Sequence, residues 1–310
     1  MSAANGFHHE ALLYGGEDEF LAGTIPFIRA GLEAEEPILV AAGRARLRLL
    51  QSELGGDGKR IRFTDMVELG TNPARIIPAW RDFVAEHAVE GRRVRGIGEP
   101  IWPGRRPDEI VECQHHESLL NLTFDGGTPW KLLCPYDRDG LPADVIAGAR
   151  ATHPSVSEAG AQRPSDSYEA DSSGRPFVGP LTPAPLEAEG FAFSREQVPA
   201  LRREISGMAA RAGLDQGRVA DFALVVSELA TNSVRHGGGR GIARVWREDG
   251  ALLCEIHDEG RMEEPLVGRW RPSPEQLGGR GLWLVNQVSD LVQIRSNPAG
   301  TIIRVRMEIA

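Results

Sequence analysis

Residues 225–239 read VVSELATNSVRHGGG, and this stretch predicts the fold of the second half of the chain. It has the pattern of the last turns of a long helix, with Glu228, Asn232 and His236 spaced at i, i+4 and i+8. At about 100° per residue these side chains fall within an arc of roughly 80°, so they share one face of the helix. The glycines at 237–239 then end the helix. A carboxylate, an amide and an imidazole on one face predict the polar wall of a nucleotide site.

The segments that flank this helix predict an α+β sandwich over residues 188–310. An earlier helix begins at Ser194, which forms a capping-box pattern with Gln197. After the long helix, Asp249-Gly250 is a hairpin-turn signal between two strands. A short helix and a terminal hairpin complete the segment. This order predicts helices packed on one face of a mostly antiparallel sheet.

Two loops carry groups that suit the two ends of a nucleotide. The second strand of the hairpin runs into Asp258, whose carboxylate can accept a hydrogen bond from the N6 amine of adenine. The run Gly278-Gly279-Arg280-Gly281 opens the short helix. Unpaired backbone amides at a helix N-terminus favour phosphate oxygens, because the helix dipole is positive there. The sequence therefore predicts adenine beside the first loop and phosphates beside the second.

The polar face of the long helix carries groups for metal binding and for transfer. The amide oxygen of Asn232 is a ligand for Mg²⁺, which usually keeps several waters and bridges phosphates. Glu228 lies one turn earlier, where its carboxylate can orient or deprotonate an attacking hydroxyl. We therefore predict Glu228 as the catalytic residue and Asn232 as the magnesium ligand.

Taken in order, SELATNSVRHG, DEG, GGRGLWLV and the pair Gly300-Thr301 resemble the N, G1 and G2 boxes of the GHKL ATPase superfamily. Within it, the E-x-x-x-N-x-x-x-H form resembles the bacterial anti-sigma-factor serine/threonine kinases. The resemblance covers about residues 190–310 and implies a Bergerat ATP-binding sandwich with ATP and Mg²⁺ as cofactors.

The resemblance also implies roles for single residues. Glu228 would be the general base, and His236 would line the phosphate side. Asp258 would bind adenine, with Thr301 assisting through a water, and Gly279, Gly281 and Leu282 would form the end of a lid over the phosphates. The implied ATP-binding positions are Asn232, His236, Asp258, Gly260, Gly279, Arg280, Gly281, Leu282 and Thr301. Met262 stands where the family often has a second glycine.

Residues 1–156 predict a different fold class. Apolar strands at 37–42, 61–66, 94–102 and 130–136 alternate with helical segments, which predicts an α/β domain with a parallel sheet covered on both faces. The segment after the first strand, AAGRARLRLL, has one glycine and no lysine–hydroxyl pair. It therefore lacks the phosphate-binding loop of nucleoside triphosphatases.

Scattered positions in the same half resemble the MEDS sensory domain. They are His9, Tyr14, Pro26-Phe27, ESLLN at 117–121, CPYD at 134–137 and Thr152-His153-Pro154. The resemblance covers roughly residues 7–156 and implies a RecA-like fold without the phosphate loop. It also implies that the domain senses an unspecified small molecule or protein signal.

Two further features of the first half have alternative interpretations. The histidine pairs 8–9 and 115–116 favour surface or core-edge histidines over metal ligands, since adjacent side chains point to different sides and no carboxylate completes a spaced ligand set. Glu99 ends a predicted strand, where open α/β sheets bind ligands. A carboxylate that caps a loop explains Glu99 equally well.

Residues 157–187 are rich in proline, serine, alanine and glycine, which predicts a flexible linker between the halves. The formal net charge of −9 argues against direct nucleic-acid binding. No apolar window is long enough to span a bilayer. Three widely spaced cysteines suit thiols in a reducing compartment, so we expect a cytoplasmic protein.

The combined prediction is a serine/threonine kinase that phosphorylates an anti-anti-sigma antagonist, binds a sigma factor and is controlled by the first half. The related kinases are often dimeric, so a homodimer is an expectation of the resemblance. One alternative is an ATP-binding regulatory module without transfer. Another is a histidine-kinase-like sensor, which needs a phosphoacceptor histidine before the ATP domain. The sequence has no histidine between His153 and the ATP domain.

Overall fold

The computed structural model describes residues 6–88, 91–124, 127, 129–170, 177, 179–273 and 279–309. The chain forms two compact units, Met1–Gly174 and Arg175–Ala310. Among the described residues, no helix is both long and apolar enough to cross a membrane.

The first unit is built on a seven-stranded sheet of order β3-β2-β4-β5-β1-β6-β7. Its strands are β1 (His8–Tyr14), β2 (Ile38–Ala42), β3 (Arg62–Asp65), β4 (Val94–Gly98), β5 (Trp130–Asp137), β6 (Ser155–Glu158) and β7 (Ala161–Pro164). All neighbouring pairs are parallel except β6 with β7. The predicted parallel sheet is therefore confirmed, and its RecA-like nature stays a prediction.

The helices of this unit follow the strands as the alternating pattern predicts. They are α1 (Gly16–Glu33), α2 (Arg44–Leu54), α3 (Met66–Leu69), α4 (Ile76–His87), α5 (Pro107–Thr123) and α6 (Ala143–Thr152). Strand β2 is buried along its whole length, because an apolar run with helices on both sides of the sheet meets no water. Strand β1 was not predicted, and it occupies the position between β5 and β6.

The second unit contains a five-stranded antiparallel sheet of order β11-β12-β10-β9-β8. Its strands are β8 (Glu189–Ser194), β9 (Arg240–Glu248), β10 (Ala251–Asp258), β11 (Leu291–Asn297) and β12 (Gly300–Glu308), and its helices are α7 (Val198–Ala212), α8 (Gln216–His236) and α9 (Gly281–Val288). The three helices share one hydrophobic core with the sheet. The predicted α+β sandwich is confirmed, and the unpredicted β8 adds an edge strand.

Local signals explain where the first helices of this unit begin and end. The Ser194 amide donates a hydrogen bond to Gln197 Oε1 at 2.8 Å, which completes the predicted capping box before α7. Gly213 ends α7 in the left-handed conformation, with φ of 102°. Asp215 then caps α8 by accepting from the Arg218 amide at 2.9 Å.

The structure corrects the predicted linker at both of its ends. Residues 157–164 continue the first sheet as the hairpin β6–β7, which Gln162 attaches to Glu10 through a 2.5 Å hydrogen bond. In the second unit, Ala184 and Ala188 pack against Trp246, and Arg304 donates to the Thr182 carbonyl at 2.8 Å. Ordering these residues costs conformational entropy, which the composition of the segment gave no means to offset. Backbone hydrogen bonds in the first sheet and packing within the second unit offset it. Residues 171–176 and 178 lie outside the described part of the chain.

We predict that Gly96→Ala destabilises the first unit by about 1–3 kcal/mol, because a Cβ in this buried strand overpacks the core. The added carbon would lie 2.9 Å from Trp80 Cζ3 and 3.0 Å from Leu132 Cδ1. Urea unfolding of the full chain, followed by tryptophan fluorescence, measures the change. The control is Gly56→Ala, where a Cβ meets no atom within 4 Å. Equal effects of the two substitutions would contradict the packing argument.

Candidate functional site

Helix α8 separates its apolar residues from the polar triad of the opening motif. Its buried side turns toward the sheet and consists of Phe222, Ala223, Val225, Val226, Leu229, Ala230 and Ser233. Glu228, Asn232 and His236 lie on the other side and line a cavity of about 630 Å³. This volume falls within the usual range of small-molecule sites. The helical spacing therefore predicted correctly which three side chains share a face.

The same cavity gathers all the other predicted site residues. They are Asp258, Gly260, Gly279, Arg280, Gly281, Leu282 and Thr301. Gly278 lies outside the described residues. These positions come from three separate elements of the chain, and the fold brings them to one end of the sandwich.

Asp258 is held in place by two hydrogen bonds at the end of β10. Its Oδ2 accepts from Ser233 Oγ at 2.6 Å, and its Oδ1 accepts from the Gly260 amide at 2.8 Å. A carboxylate has about four lone-pair positions, so acceptor capacity remains after both bonds. Gly237 lies so close to this side chain that a Cβ would be 2.3 Å from Asp258 Cγ. The end of α8 therefore packs directly against the carboxylate.

A relay of hydrogen bonds fixes the turn after Asp258. The Met262 amide donates to Ser296 Oγ at 2.8 Å, and Ser296 and Thr301 are joined through their hydroxyls at 2.8 Å. Thr301 Oγ1 donates in turn to the Gly260 carbonyl at 2.8 Å. Thr301 lies there because β10 and β12 pair it with Asp258. At the position that departs from the family pattern, Met262 packs against the core and its amide closes this relay.

The start of α9 comes against the polar face of α8. A Cβ on Gly281 would lie 2.4 Å from Glu228 Oε2 and 3.5 Å from Asn232 Nδ2. The nearest atom is the end of the flexible Glu228 side chain, so a larger residue at 281 would displace that carboxylate. Gly279 before it has φ of 72°. The first amides of α9, which have no intrahelical acceptor, therefore begin beside Glu228 and Asn232.

Sequence reasoning missed several residues that hold the site together. Ser233, which orients Asp258, is next to Asn232 but turns toward the sheet, outside the predicted arc. Ser296 supports Thr301 from the neighbouring strand, and Asn286 Nδ2 donates to the Gly268 carbonyl at 3.0 Å. Each acts on a residue far away in sequence, so no local spacing could have indicated it.

Comparison with known proteins identifies the family of the domain that contains this cavity. Residues 191–307 match the model of the histidine kinase-like ATPase domain. A curated relative, the serine-protein kinase RsbW of Bacillus velezensis, is 30% identical over 121 residues, which are 34% of this chain and 76% of that protein. The chain belongs to the histidine kinase-like ATPase family. Residues 8–154 match the MEDS model, the methanogen/methylotroph DcmR sensory domain, so the first unit is a MEDS domain.

Solved structures with detectable similarity are more distant. The RsbU and RsbW domains of a Mycobacterium tuberculosis protein align with a TM-score of 0.29 and 16% identity, over 39% of this chain and 32% of that one. This chain thus spans about a third of the length of that structure. The Acinetobacter baumannii histidine kinase AdeS aligns with a TM-score of 0.24 and 15% identity, over 40% and 69% of the two chains.

In the MEDS domain, Glu99 is buried at the end of β4. It is 3% exposed, and its Oε1 accepts a hydrogen bond from the Tyr14 hydroxyl at 2.8 Å. Arg46 Nη2 donates to the same hydroxyl at 3.2 Å. Burial raises the pKa of Glu99 from 4.5 to about 7, against the opposing effects of Tyr14 and Arg46. Glu99 is therefore hydrogen-bonded to a side chain of β1 inside the domain, and both interpretations of its role stay predictions.

The prediction of surface or core-edge histidines is wrong for His9 and His116, which are fully buried. His8 is exposed, whereas His9 is buried. His9 Nε2 lies 3.0 Å from Glu117 Oε2. The expectation that no carboxylate accompanies these histidines is therefore wrong, because Glu117 comes from a helix 108 residues further along the chain.

We predict that Glu99 makes the MEDS domain less stable as the pH rises. Its folded pKa is raised, so its contribution to stability is full below about pH 4.5 and is lost as the pH rises through about 7. Glu99→Gln stays neutral and keeps an acceptor for Tyr14. We expect this variant to match the natural protein at about pH 5 and to be about 2–3 kcal/mol more stable at about pH 9.

The measurement is urea unfolding of the full chain across this pH range. The control is Glu86→Gln, since Glu86 is exposed on the same domain. A Glu99→Gln variant with an unchanged pH profile would refute the assignment.

Proposed function

We propose that this protein is an ATP-dependent serine/threonine kinase of the anti-sigma-factor type, which phosphorylates a hydroxyl of an anti-anti-sigma antagonist protein. The observation that carries the proposal is the meeting of α8 and α9. The start of α9 at Gly281 comes close to the Glu228 carboxylate, and this carboxylate, the amide of Asn232 and the first residues of α9 line one cavity.

Glu228 and Asn232 are available for chemistry in this cavity. Within the described part of the chain, neither side chain is engaged in a hydrogen bond or ion pair. The Asn232 amide oxygen suits Mg²⁺, which when bound would neutralise charge on the phosphate oxygens. Glu228 would accept the proton of the substrate hydroxyl, because a positioned carboxylate is a general base.

The two ends of the cavity suit the two ends of ATP. Asp258 retains acceptor capacity for the exocyclic amine of adenine, and Ser233 and Gly260 hold its carboxylate in one orientation. The first amides of α9, with Gly279, Arg280 and Leu282, would surround the phosphates. His236 would line the same side.

The name of the curated relative suggests which group accepts the phosphate. RsbW of B. velezensis is named a serine-protein kinase, so we expect transfer to a side-chain hydroxyl of a protein. We further expect a sigma factor as a second partner, a homodimer as the working unit, and control by a signal bound at the MEDS domain.

We predict that Glu228→Gln abolishes transfer but leaves Mg·ATP binding almost unchanged. The amide cannot accept the hydroxyl proton, and loss of a general base typically lowers the rate by about 10²–10⁴-fold. Transfer of ³²P from γ-labelled ATP to a purified anti-anti-sigma protein measures the first effect, and calorimetry measures the second.

The control for this test is Glu204→Gln, an exposed carboxylate on α7. Binding without transfer by the natural protein would overturn the kinase assignment in favour of the regulatory module. Label that is lost in acid would identify phosphohistidine and favour the histidine-kinase alternative.

We predict that Asp258→Asn weakens ATP binding by about 10–100-fold, because a donor amide would face the donor amine of adenine and leave it unpaired. Calorimetric titration of the full chain with Mg·ATP measures the change. The matched control is Asp249→Asn at the β9–β10 turn, where φ is 47° and asparagine is tolerated. Unchanged affinity in Asp258→Asn would remove Asp258 from the nucleotide site.

A further inference from the structure

A second group of chemically versatile side chains lies in the MEDS domain, apart from the nucleotide cavity. His9 belongs to β1 and Cys134 to the neighbouring β5, and their register places both on one face of the sheet. Glu117 reaches them from α5, and His153 follows the end of α6. All four residues are at most 2% exposed. The fold therefore assembles two imidazoles, a carboxylate and a thiol in the interior.

The ligand atoms of these four residues lie within 4.8 Å of one another. Glu117 Oε2 is 3.0 Å from His9 Nε2 and 3.4 Å from His153 Nε2. Cys134 Sγ is 3.5 Å from His9 Nε2 and 3.6 Å from Glu117 Oε2. Tetrahedral zinc, at about 2.1 Å from nitrogen or oxygen and about 2.3 Å from sulfur, has N···O edges of about 3.4 Å and sulfur edges of about 3.6 Å. Three of the four distances agree with these edges to within about 0.1 Å, and His9 Nε2 and Glu117 Oε2 would move apart by about 0.4 Å on binding.

In both histidines the Nδ1 atom, which faces away from the cluster, already makes a hydrogen bond. His9 Nδ1 lies 3.0 Å from Asn121 Oδ1, and Asn121 is oriented because its Nδ2 donates to the Thr152 carbonyl at 2.7 Å. His153 Nδ1 lies 2.8 Å from the Ala149 carbonyl. Both partners are acceptors, so both Nδ1 atoms carry the hydrogen, and in a neutral ring Nε2 then presents a lone pair to the cluster. Metal-binding histidines are typically oriented in this way.

The inward atoms need a positive partner. Two imidazole lone pairs and a carboxylate oxygen face one another in the interior, and the thiol of Cys134 supplies one hydrogen. His153 Nε2 has no hydrogen-bond partner among the described residues. Buried acceptors without donors are costly, and one divalent cation would satisfy all of them together. With Glu117 and Cys134 ionised, the loaded site would also have no net charge.

We propose that His9, Glu117, Cys134 and His153 bind one divalent transition-metal ion, zinc by the chemistry of their donors, in the interior of the MEDS domain. Nitrogen, sulfur and one carboxylate oxygen in tetrahedral positions are the ligands that zinc takes in proteins. Binding forms the metal–sulfur bond and releases the thiol proton of Cys134 to solvent.

The position of the site indicates its effect. All four coordination places are filled by protein atoms, and the ligands come from β1, α5, β5 and the end of α6. The ion therefore joins four segments of one domain and leaves no open place for a substrate. Bound metal therefore raises the stability of the MEDS domain. The proposal is independent of the kinase assignment, because the ATP cavity shares no residue with this cluster.

Cobalt is the probe that tests this proposal. The full chain is unfolded, stripped of metal with a chelator and refolded with Co²⁺ or Zn²⁺. We expect one metal ion per chain by mass spectrometry, visible bands of tetrahedral cobalt, and a near-ultraviolet thiolate-to-cobalt band. We also expect the metal-loaded chain to unfold at a higher urea concentration than the stripped one.

Matched variants separate this site from unspecific binding. Cys134→Ser should remove the thiolate band and weaken metal binding by at least about tenfold. Cys113→Ser should change neither, since Cys113 is an equally buried thiol whose Sγ donates to the Pro100 carbonyl at 3.4 Å. His153→Gln and His116→Gln form a second pair of the same design, with His116 as the buried histidine outside the cluster.

Three results would overturn the proposal. The first is a refolded natural chain that binds neither metal, which would make the cluster a proton-sharing hydrogen-bond network. The second is a thiolate band that persists in Cys134→Ser, and the third is its equal loss in Cys113→Ser. Metal binding by the refolded natural chain tests the proposal even where a variant does not fold.

Discussion

The site in the second unit depends on the close approach of α9 to α8 at Gly281. A Cβ there would overlap the Glu228 carboxylate, so a larger residue would displace this side chain from its position beside the start of α9. The hydrophobic core holds the two helices together, because Leu282 and Val285 of α9 are buried in the same cluster as Leu229 of α8. Packing of apolar side chains thus sets the distance between a row of polar side chains and a set of unpaired backbone amides.

Strand pairing fixes the other end of the cavity. Because Asp258 and Thr301 are partners in the β10–β12 ladder, the acidic side chain and the hydroxyl arrive together. The opposite face of the same sheet is closed by Trp246 and by an ion pair of Arg304 with Glu255 at 3.1 Å. Residues 182–188 cover that face, so part of the predicted linker belongs to the architecture of the ATPase domain.

The MEDS domain shows what a sheet buried on both faces requires of its polar residues. Strand β1 carries His9 near one end and Tyr14 at the other, and both are at most 2% exposed. Each must find partners inside the domain, since water does not reach it. Tyr14 pairs with Glu99, and His9 joins Glu117, Cys134 and His153. The segments that carry the MEDS resemblance, scattered along the sequence, supply all four members of that second cluster.

Local physics determined much of this protein from the sequence alone. Helical spacing placed Glu228, Asn232 and His236 on one face, turn chemistry located the β9–β10 hairpin, and the capping box marked the 3-10 turn that leads into α7. Strand β1 escaped prediction, because HHEALLY opens with three polar residues, of which His9 is buried by elements distant in sequence. The partners Ser233, Ser296, Glu117 and His153, and the packing of residues 157–164 and 182–188, were decided by the tertiary structure. The reason is physical: spacing along a chain reports which side chains share a face, whereas their partners are chosen by contacts between elements.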